Sequence, residues 1–251
     1  MTRLGNRHYP RGGIHGRVVH ELGQDIVGGR YKPGDKLPGE GEFLEMFKGS
    51  RTAIREAFRV LTAKGLLEAK QRAGTRVRPR SCWNLLDPDI LAWQSEVQQD
   101  HGSVVQMMEL RQCFQPGIAN LAAQRGSLDQ LALLDGFQRQ MEDAEEVRDQ
   151  ALFFKAVRNF HGCLFDCCRN DLASRLNDVV DVVLVALYQT TDNSLERQAF
   201  GMAGWYRLAV EKIMARDGVS AERLFHNLIE NERSLLIAPK KSTPHFQSKV
   251  A

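Results

Sequence analysis

The sequence predicts a mainly α protein built from an N-terminal winged helix-turn-helix with a small β-hairpin wing and a C-terminal all-α helical bundle. Within residues 14–80, helical patterns lead into a hairpin whose turn carries a glycine, and after residue 80 strand patterns are nearly absent. Residues 1–80 carry 17 Lys and Arg against 8 Asp and Glu, whereas the rest of the chain carries 17 against 23. The basic first part suits a polyanion such as DNA, and 251 residues with 43% hydrophobic content suffice for two cores.

The chain opens with residues 1–13, which contain three arginines and a Gly-Gly pair but show no periodicity. We expect a mobile basic arm, favouring a disordered tail over a DNA contact. From residue 14 to 28, apolar residues trace one helical stripe, which Gly28-Gly29 ends. Pro33 and Gly34 then mark a turn.

A helix-turn-helix follows the turn. The first helix is predicted over 39–47, and the second begins near Ser50, a plausible N-cap, and ends near Ala63. In the second helix, Ile54, Phe58 and Leu61 share a face suited to a core, and the basic residues point elsewhere. Such a helix fits the major groove, with its positive N-terminal end toward phosphates and base edges. Residues 66–70 and 75–78 are predicted to pair across 71–74 as the wing.

The β pattern stops near residue 80, where we place the domain boundary, so that 14–80 forms the DNA-binding domain and 81–238 an all-helical effector-binding and dimerisation domain. Helices are predicted at about 87–99, 103–125, 127–146, 148–169, 171–190, 194–216 and 219–238. Pro116 is expected to kink or break the second of these. The tail, 239–251, is expected to fray.

Several function classes are disfavoured by the sequence. It has no apolar run long enough to span a membrane and no secretory signal pattern in the first 30 residues, so we expect a cytoplasmic protein with no membrane partner. The five cysteines are odd in number and mostly lie in helical patterns, which favours free thiols. No nucleophile elbow, phosphate loop or H-E-x-x-H motif is present, so we expect no enzyme and no cofactor.

The first domain resembles the GntR family of bacterial transcription regulators. The resemblance is carried by Tyr31 to Pro38 followed by Glu40, by Ser50-Arg51-Thr52 with Arg55-Glu56-Ala57, and by Leu61, Gly65-Leu66-Leu67 and Gly74-Thr75. That family usually has an arginine where this chain has Gly41. The difference puts one DNA contact in doubt and weakens the helix by about 1 kcal/mol relative to alanine.

The second domain is similar to the helical ligand-binding (FCD-type) domain of the FadR subfamily, through Glu109-Leu110-Arg111, Pro116, Phe160-His161 and Arg216-Asp217. The segment 83–93 is similar to regulators of sugar-acid catabolism such as galactonate repressors. Many subfamily members hold a divalent metal with one Asp and three His. The matching positions here are Val157, His161, Tyr206 and Leu228, so we expect no metal site, because one imidazole cannot hold the ion against water.

The predicted DNA-binding site lies on the helix that begins near Ser50 and on the wing. It comprises Ser50, Arg51, Thr52, Arg55, Arg72, Gly74, Thr75 and Arg76. Arg51 is the candidate for a bidentate guanine contact, and Ser50, Arg55, Arg72 and Arg76 are candidates for phosphate contacts. Gly74 would let the backbone of the wing come close to the duplex, or it would only be required by the conformation of its own turn. The alternative for Arg51, Thr52, Arg55 and Arg72 is a solvated basic face.

The resemblance implies that Arg111 clamps an effector carboxylate through two parallel hydrogen bonds, with His161 and Tyr206 as neutral polar groups that bond sugar hydroxyls. The alternatives are a surface salt bridge for Arg111 and a satisfied core histidine for His161. An alternative metal cluster of His161, Cys163, Asp166, Cys167 and Cys168 is disfavoured, because helical geometry prevents His161, Cys163 and Cys168 from converging on one ion. Cys163 and Cys167 share a face, but two thiols alone make a poor site. Buried free cysteines are favoured there.

The predicted function is a sequence-specific DNA-binding regulator acting as a homodimer on double-stranded operator DNA. On the resemblance, it is a repressor that a small carboxylic acid such as a sugar acid releases from the operator. The alternatives are a ligand-independent architectural DNA-binding protein and a regulator that responds to a different organic acid or acyl compound. Activation instead of repression also stays open.

Overall fold

The computed structural model of the protein describes residues 8–70, 74–97, 101–190 and 202–237. Short 3₁₀ turns lie at Arg80–Cys82 and Ala173–Leu176. The remaining elements, in chain order, are α1 Gly13–Val27, α2 Glu40–Phe47, α3 Arg51–Ala63, β1 Leu67–Lys70, β2 Gly74–Val77, α4 Pro88–Val97, α5 His101–Arg125, α6 Leu128–Glu146, α7 Gln150–Cys167, α8 Asn177–Thr190, α9 Ala203–Met214 and α10 Gly218–Ile237. This order of elements confirms the predicted fold class.

The first core lies between α1, α2, α3 and the hairpin. Helix α3 buries Ile54, Ala57 and Leu61 against it, and Phe58 packs at its edge, as the helical spacing predicts. The two strands are antiparallel with Leu67 opposite Val77 and close the hairpin at Lys70 and Gly74. The core therefore fixes which side of α3 faces outward.

The segment before α2 hydrogen-bonds to the outer edge of β2. The backbone N–H of Leu37 donates to the carbonyl of Thr75 at 2.9 Å, and the N–H of Val77 donates to the carbonyl of Asp35 at 3.0 Å. At the tip, Gly74 has a φ of +84°, which favours glycine, and an added Cβ would meet the Lys36 side chain at 2.9 Å. The wing is thus braced from beneath by residues 34–37.

The change of period near residue 80 marks the end of the hairpin but not the end of the first packing unit. Helix α4 lies beyond that point, yet Ile90 and Trp93 are fully buried in the first core. An added Cβ at Gly23 of α1 would lie 2.5 Å from the Trp93 ring, so the two helices approach closely. Leu91 of the same helix belongs to the second core, and α4 consequently joins the two units.

Residues 8–13 of the predicted arm contact the first unit in the structure, and residues 1–7 lie outside the described part of the chain. The N–H of Tyr9 donates to both carboxylate oxygens of Asp89, at 2.9 and 3.1 Å. The carbonyl of Tyr9 accepts from His20 at 2.8 Å, and Lys64 pairs with Asp89 at 2.7 Å. Because Asp89 is buried, its charge requires these partners, and they hold the segment in place.

The second core is formed by α5 to α10, with α5 and α10 packed along each other and α6 along α7. Helix α5 runs unbroken through Pro116, so of the kink or break that was expected there, the break does not occur. The predicted helix 171–190 begins only at Asn177, because the side chain of Asn170 accepts from the backbone of Leu172 and Ala173 and holds a tighter turn first. The predicted tail lies outside the described residues. Among the helices that the structure describes, none has the length and apolar character that crossing a membrane requires.

Candidate DNA-binding surface and effector site

The N-terminal end of α3 forms an exposed basic edge. Ser50 caps the helix as predicted, and its hydroxyl accepts from the N–H of Ala53 at 3.2 Å. Arg51 and Thr52 follow in the first turn and are exposed. Within the described part of the chain, neither side chain has a hydrogen-bond or ion-pair partner, so both are free to reach base edges.

Two further predicted arginines have partners inside the protein. The Nε of Arg55 donates to the carboxylate of Glu40 at 3.0 Å, which ties α3 to the start of α2. The Nη1 of Arg76 donates to the carbonyl of Gly34 at 2.9 Å, beneath the wing. Each guanidinium keeps other N–H groups that can reach phosphate.

The tip of the wing carries the remaining predicted DNA-binding residues. Gly74 and Thr75 begin β2, and Arg72 falls in 71–73, outside the described residues. Lys36, which the sequence analysis did not single out, is exposed and lies across Gly74. Its position two residues after Gly34, in the turn that braces the wing, was the available signal.

A second constellation lies in the core of the helical unit, where α5, α7, α9 and α10 meet. Five polar side chains form a closed ring there, which we call the polar ring: Arg111, Gln115, His161, Tyr206 and Glu232. Each is at most 3% exposed. The structure thus brings together all three residues predicted from the resemblance.

From Gln115 through His161 and Tyr206 to Glu232 the hydrogen bonds run in one direction, and Arg111 donates to both ends of that path. Arg111 donates from Nη1 to Glu232 and from Nε to the amide oxygen of Gln115. The amide nitrogen of Gln115 lies 2.7 Å from Nδ1 of His161, and Nε2 of His161 lies 3.1 Å from the Tyr206 hydroxyl. That hydroxyl donates to the other oxygen of Glu232 at 3.2 Å.

This direction sets the protonation of His161. An amide nitrogen can only donate, so Nδ1 accepts, and Nε2 carries the proton that it donates to Tyr206. Burial, together with the charge of Arg111, holds the pKa of His161 well below its ordinary value. The ring therefore contains a neutral imidazole and one ion pair.

One group in the ring is left without a partner. The Nη2 of Arg111 is buried and has no hydrogen-bond acceptor among the described residues. Buried donors of a charged group are costly to leave unpaired, so this atom marks a place where an acceptor belongs. The alternative of a surface salt bridge is wrong, because Arg111 is fully buried and its acid lies 121 residues along the chain.

Comparisons with known proteins agree with both parts of the fold. Residues 14–77 match the family described as "Bacterial regulatory proteins, gntR family", and residues 106–231 match the FCD domain. The chain belongs to the GntR family of bacterial transcription regulators. Members bind operator DNA through the first domain and an effector through the FCD domain. The chain is accordingly a DNA-binding transcription regulator and not an enzyme.

Two of the proteins that this chain is similar to are regulators of named operons. The chain is 33% identical over 207 residues to the galactonate operon transcriptional repressor of Escherichia coli, covering 82% of this chain and 90% of that one. It is 29% identical over 252 residues to the Uxu operon regulator of Haemophilus influenzae, covering 100% and 80%. A solved structure of Lar, which controls the expression of the Listeria monocytogenes agr system, is similar to this chain in fold. The two are 18% identical in sequence and superimpose with a TM-score of 0.61, over 91% of this chain and 98% of that one.

The residues at the metal positions of other GntR regulators do not fit a metal ion here. Val157 and Leu228 are buried apolar side chains that supply no ligand. Both ring nitrogens of His161 are engaged by Gln115 and Tyr206. Across the described ranges, no group of three or more His, Cys, Asp or Glu could hold a metal ion. Hydrogen bonding, and not coordination, is the chemistry of this site.

Three cysteines in and just after α7 lie in the second core. Cys163, Cys167 and Cys168 are all buried and free. The Sγ of Cys163 donates to the carbonyl of Gln130 at 3.4 Å, and a hydrogen bond with Cys167 lowers the pKa of Cys163. They pack as small apolar residues.

Sequence reasoning missed Gln115 and Glu232. Gln115 lies four residues after Arg111 and so shares its helical face, which was a usable signal. Glu232 continues the apolar stripe of Phe225, Leu228 and Ile229 at helical spacing, and an acid on such a stripe calls for a buried cation. Neither clue states which cation, because the partner lies on a distant helix.

Proposed function

We propose that this GntR regulator is a repressor that leaves its operator when a small carboxylic acid, of the sugar-acid class, binds at the polar ring. The relatives named above regulate galactonate and Uxu operons, which supports this class of effector. The observation that carries the proposal is the buried Arg111, whose Nη2 lacks an acceptor. A guanidinium with a vacant donor, surrounded by hydroxyl and imidazole groups, suits an acid that also carries hydroxyls.

On the DNA side, Arg51 is proposed to read a guanine in the major groove, with Thr52 beside it. Ser50, Arg55, Arg72 and Arg76 would position the domain through phosphate contacts, which carry no sequence information themselves. Gly74 and Thr75 would bring the wing's backbone to the duplex. The free guanidinium of Arg51 at the exposed end of α3 supports this assignment.

On the effector side, Arg111 would receive the carboxylate, and His161 and Tyr206 would hydrogen-bond the acid's oxygens. The Nε2–H of His161 is directed at the Tyr206 hydroxyl, which in turn donates to Glu232. Both groups are neutral, so they distinguish hydroxyls without repelling the acid.

The regulator is proposed to act as a homodimer in the cytoplasm, where its operator lies. Two-fold symmetric proteins read palindromic half-sites, and a single winged domain buries little DNA surface. Helix α4 packs on both cores and would carry the effector's influence to the DNA-binding domain. The acid's differential affinity for the two arrangements would set how far operator binding weakens.

A thermal-shift panel followed by mobility shift tests the proposal. D-galactonate and related sugar acids are expected to raise the melting temperature, and the stabilising acid should release a DNA fragment from the regulator's own upstream region. The neutral sugars of the same carbon number are the control. If no sugar acid stabilises the protein while DNA binding is intact, other organic acids and acyl compounds are tried next, and failure of all of them favours the ligand-independent architectural alternative.

A further inference from the structure

Glu232 occupies one of the two edges through which Arg111 can bind a carboxylate. A guanidinium offers two edges for a bidentate carboxylate, one formed by Nη1 and Nη2 and the other by Nε and Nη2. Glu232 accepts from Nη1 alone, so the first edge is only half filled, and Nη2 is left over. The amide of Gln115 covers Nε on the second edge.

The two edges differ in what an incoming carboxylate would have to displace. Removing Gln115 from Nε would break its bond to His161 as well, and a neutral amide would be replaced by a charge. Two carboxylates would then share one cation in a buried site, which is unfavourable. Removing Glu232 exchanges one negative charge for another and keeps the site neutral.

The exchange also conserves the contacts of the polar ring. Glu232 accepts from Nη1 of Arg111 and from the hydroxyl of Tyr206. A free carboxylate on the same edge can accept from both of those groups and from Nη2 in addition. The incoming acid therefore makes one contact that the Glu232 carboxylate leaves unmade.

From these contacts we infer that Glu232 is an internal stand-in for the effector's carboxylate, and that effector binding exchanges the two on Arg111. The inference rests on the proposed function, because it specifies how the acid enters that site. Glu232 lies near the end of α10, five residues before Ile237. Displacing its side chain moves the last turns of α10 against α5, the helix that carries Arg111.

The closing experiment uses acetate, the smallest stable carboxylate with a methyl group, as its probe. In Glu232→Ala, the place of the carboxylate is empty and Arg111 lacks its counter-ion, so acetate should raise the melting temperature by several degrees in a saturable manner. The full-length wild type should respond far less, because its own Glu232 competes. Acetamide, a neutral molecule of the same shape, and chloride at equal ionic strength should not reproduce the effect.

A matched control is available on the same helix. Glu230 is exposed, and its carboxylate lies 3.8 Å from Arg233 on the surface. Glu230→Ala should respond to acetate as the wild type does. If folded Glu232→Ala shows no acetate-specific stabilisation, the inference is overturned.

A second variant covers the case in which Glu232→Ala does not fold. Glu232→Gln keeps an oxygen acceptor for Arg111 and Tyr206 but removes the competing charge, so its dissociation constant for acetate should be lower than that of the wild type by about tenfold or more. An unchanged dissociation constant overturns the exchange.

The proposed function can fail separately. If acetate stabilises Glu232→Ala while no sugar acid releases the wild type from DNA, the choice of effector is wrong and the exchange stands. If a sugar acid releases the wild type while acetate leaves both variants unaffected, the exchange is wrong and the function stands.

Discussion

Replacing Arg111 with methionine should destabilise the protein strongly, because it leaves an acid buried without its cation. The methionine keeps most of the volume of the side chain and removes the guanidinium. Glu232 is 3% exposed and would retain only the Tyr206 hydroxyl, at 3.2 Å, of the two donors described for it. Breaking a buried pair from one side costs about 3 to 5 kcal/mol of unfolding free energy. For a chain of this size that corresponds to about 6 to 20 °C in melting temperature.

The matching double variant separates the charge from the packing. In Arg111→Met with Glu232→Met, no charge is left buried, so the double variant should be more stable than the single one and within about 2 kcal/mol of the wild type. Urea unfolding followed by circular dichroism measures both differences. Arg139→Met is the control, since Arg139 pairs with Asp135 on the surface and its loss should cost less than about 1 kcal/mol.

A single variant that loses less than about 1 kcal/mol, the size of a surface effect, would refute the buried pair. A double variant that is no more stable than the single one would show that the loss comes from packing and not from the unpaired acid. In either case Arg111 would have to be removed from the effector site proposed above.

Three further predictions concern the DNA-binding surface and the histidine of the ring. Arg51→Ala should relax base preference at one operator position and weaken binding by about 1 to 3 kcal/mol, measured by mobility-shift titration on the operator and its point variants; equal affinity for all of them would remove Arg51 from base reading. Gly41 is exposed with open space around it, so Gly41→Ala and Gly41→Arg should each stabilise α2 by up to about 1 kcal/mol. Only Gly41→Arg should tighten operator binding. If Gly41→Ala also tightens operator binding, the stability of the helix and not a new DNA contact is responsible. The pKa of His161 is lowered in the folded protein. As the pH falls below about 6.5, the imidazole therefore becomes protonated in the unfolded chain but stays neutral in the folded protein. This difference lowers the free energy of unfolding by up to about 1.4 kcal/mol per pH unit. His161→Gln should show a shallower loss between pH 6.5 and pH about 5 in urea unfolding, and an identical slope would mean that His161 is protonated in the fold.

The winged domain could be predicted almost element by element because its signals are local. Ser50 caps α3 from within the same turn, and the spacing of Ile54 and Leu61 indicates the buried face without reference to the rest of the chain. Gly74 takes the positive φ that its turn requires. Such features depend on neighbours a few residues away, which a sequence displays directly.

The first residues and α4 could not be placed by the same reasoning. Residues 8–13 show no periodicity, and what holds them is Asp89, which lies about 80 positions further along. Asp89 falls within the helix predicted at about 87–99, and the helical pattern does not show that its carboxylate is buried. Trp93 likewise fits the pattern of either domain, and only tertiary packing assigns it to the first core.

The polar ring was predicted in part. Arg111, His161 and Tyr206 came from the resemblance to other regulators, and the structure places them in contact through Gln115 and Glu232. The pairing of Arg111 with Glu232 joins residues 121 positions apart, and no spacing rule connects them. The prediction of a clamp was therefore made without the acid that already occupies it.

The most direct test of the account follows operator release at equilibrium. Fluorescence anisotropy of a labelled operator fragment is measured while D-galactonate, or whichever acid stabilises the protein, is added to the wild type and to the Arg111→Met, Glu232→Met double variant. The account predicts that the wild type is released in a saturable manner, whereas the double variant binds the operator and does not respond to the acid. Release of the double variant at the same acid concentration would contradict it.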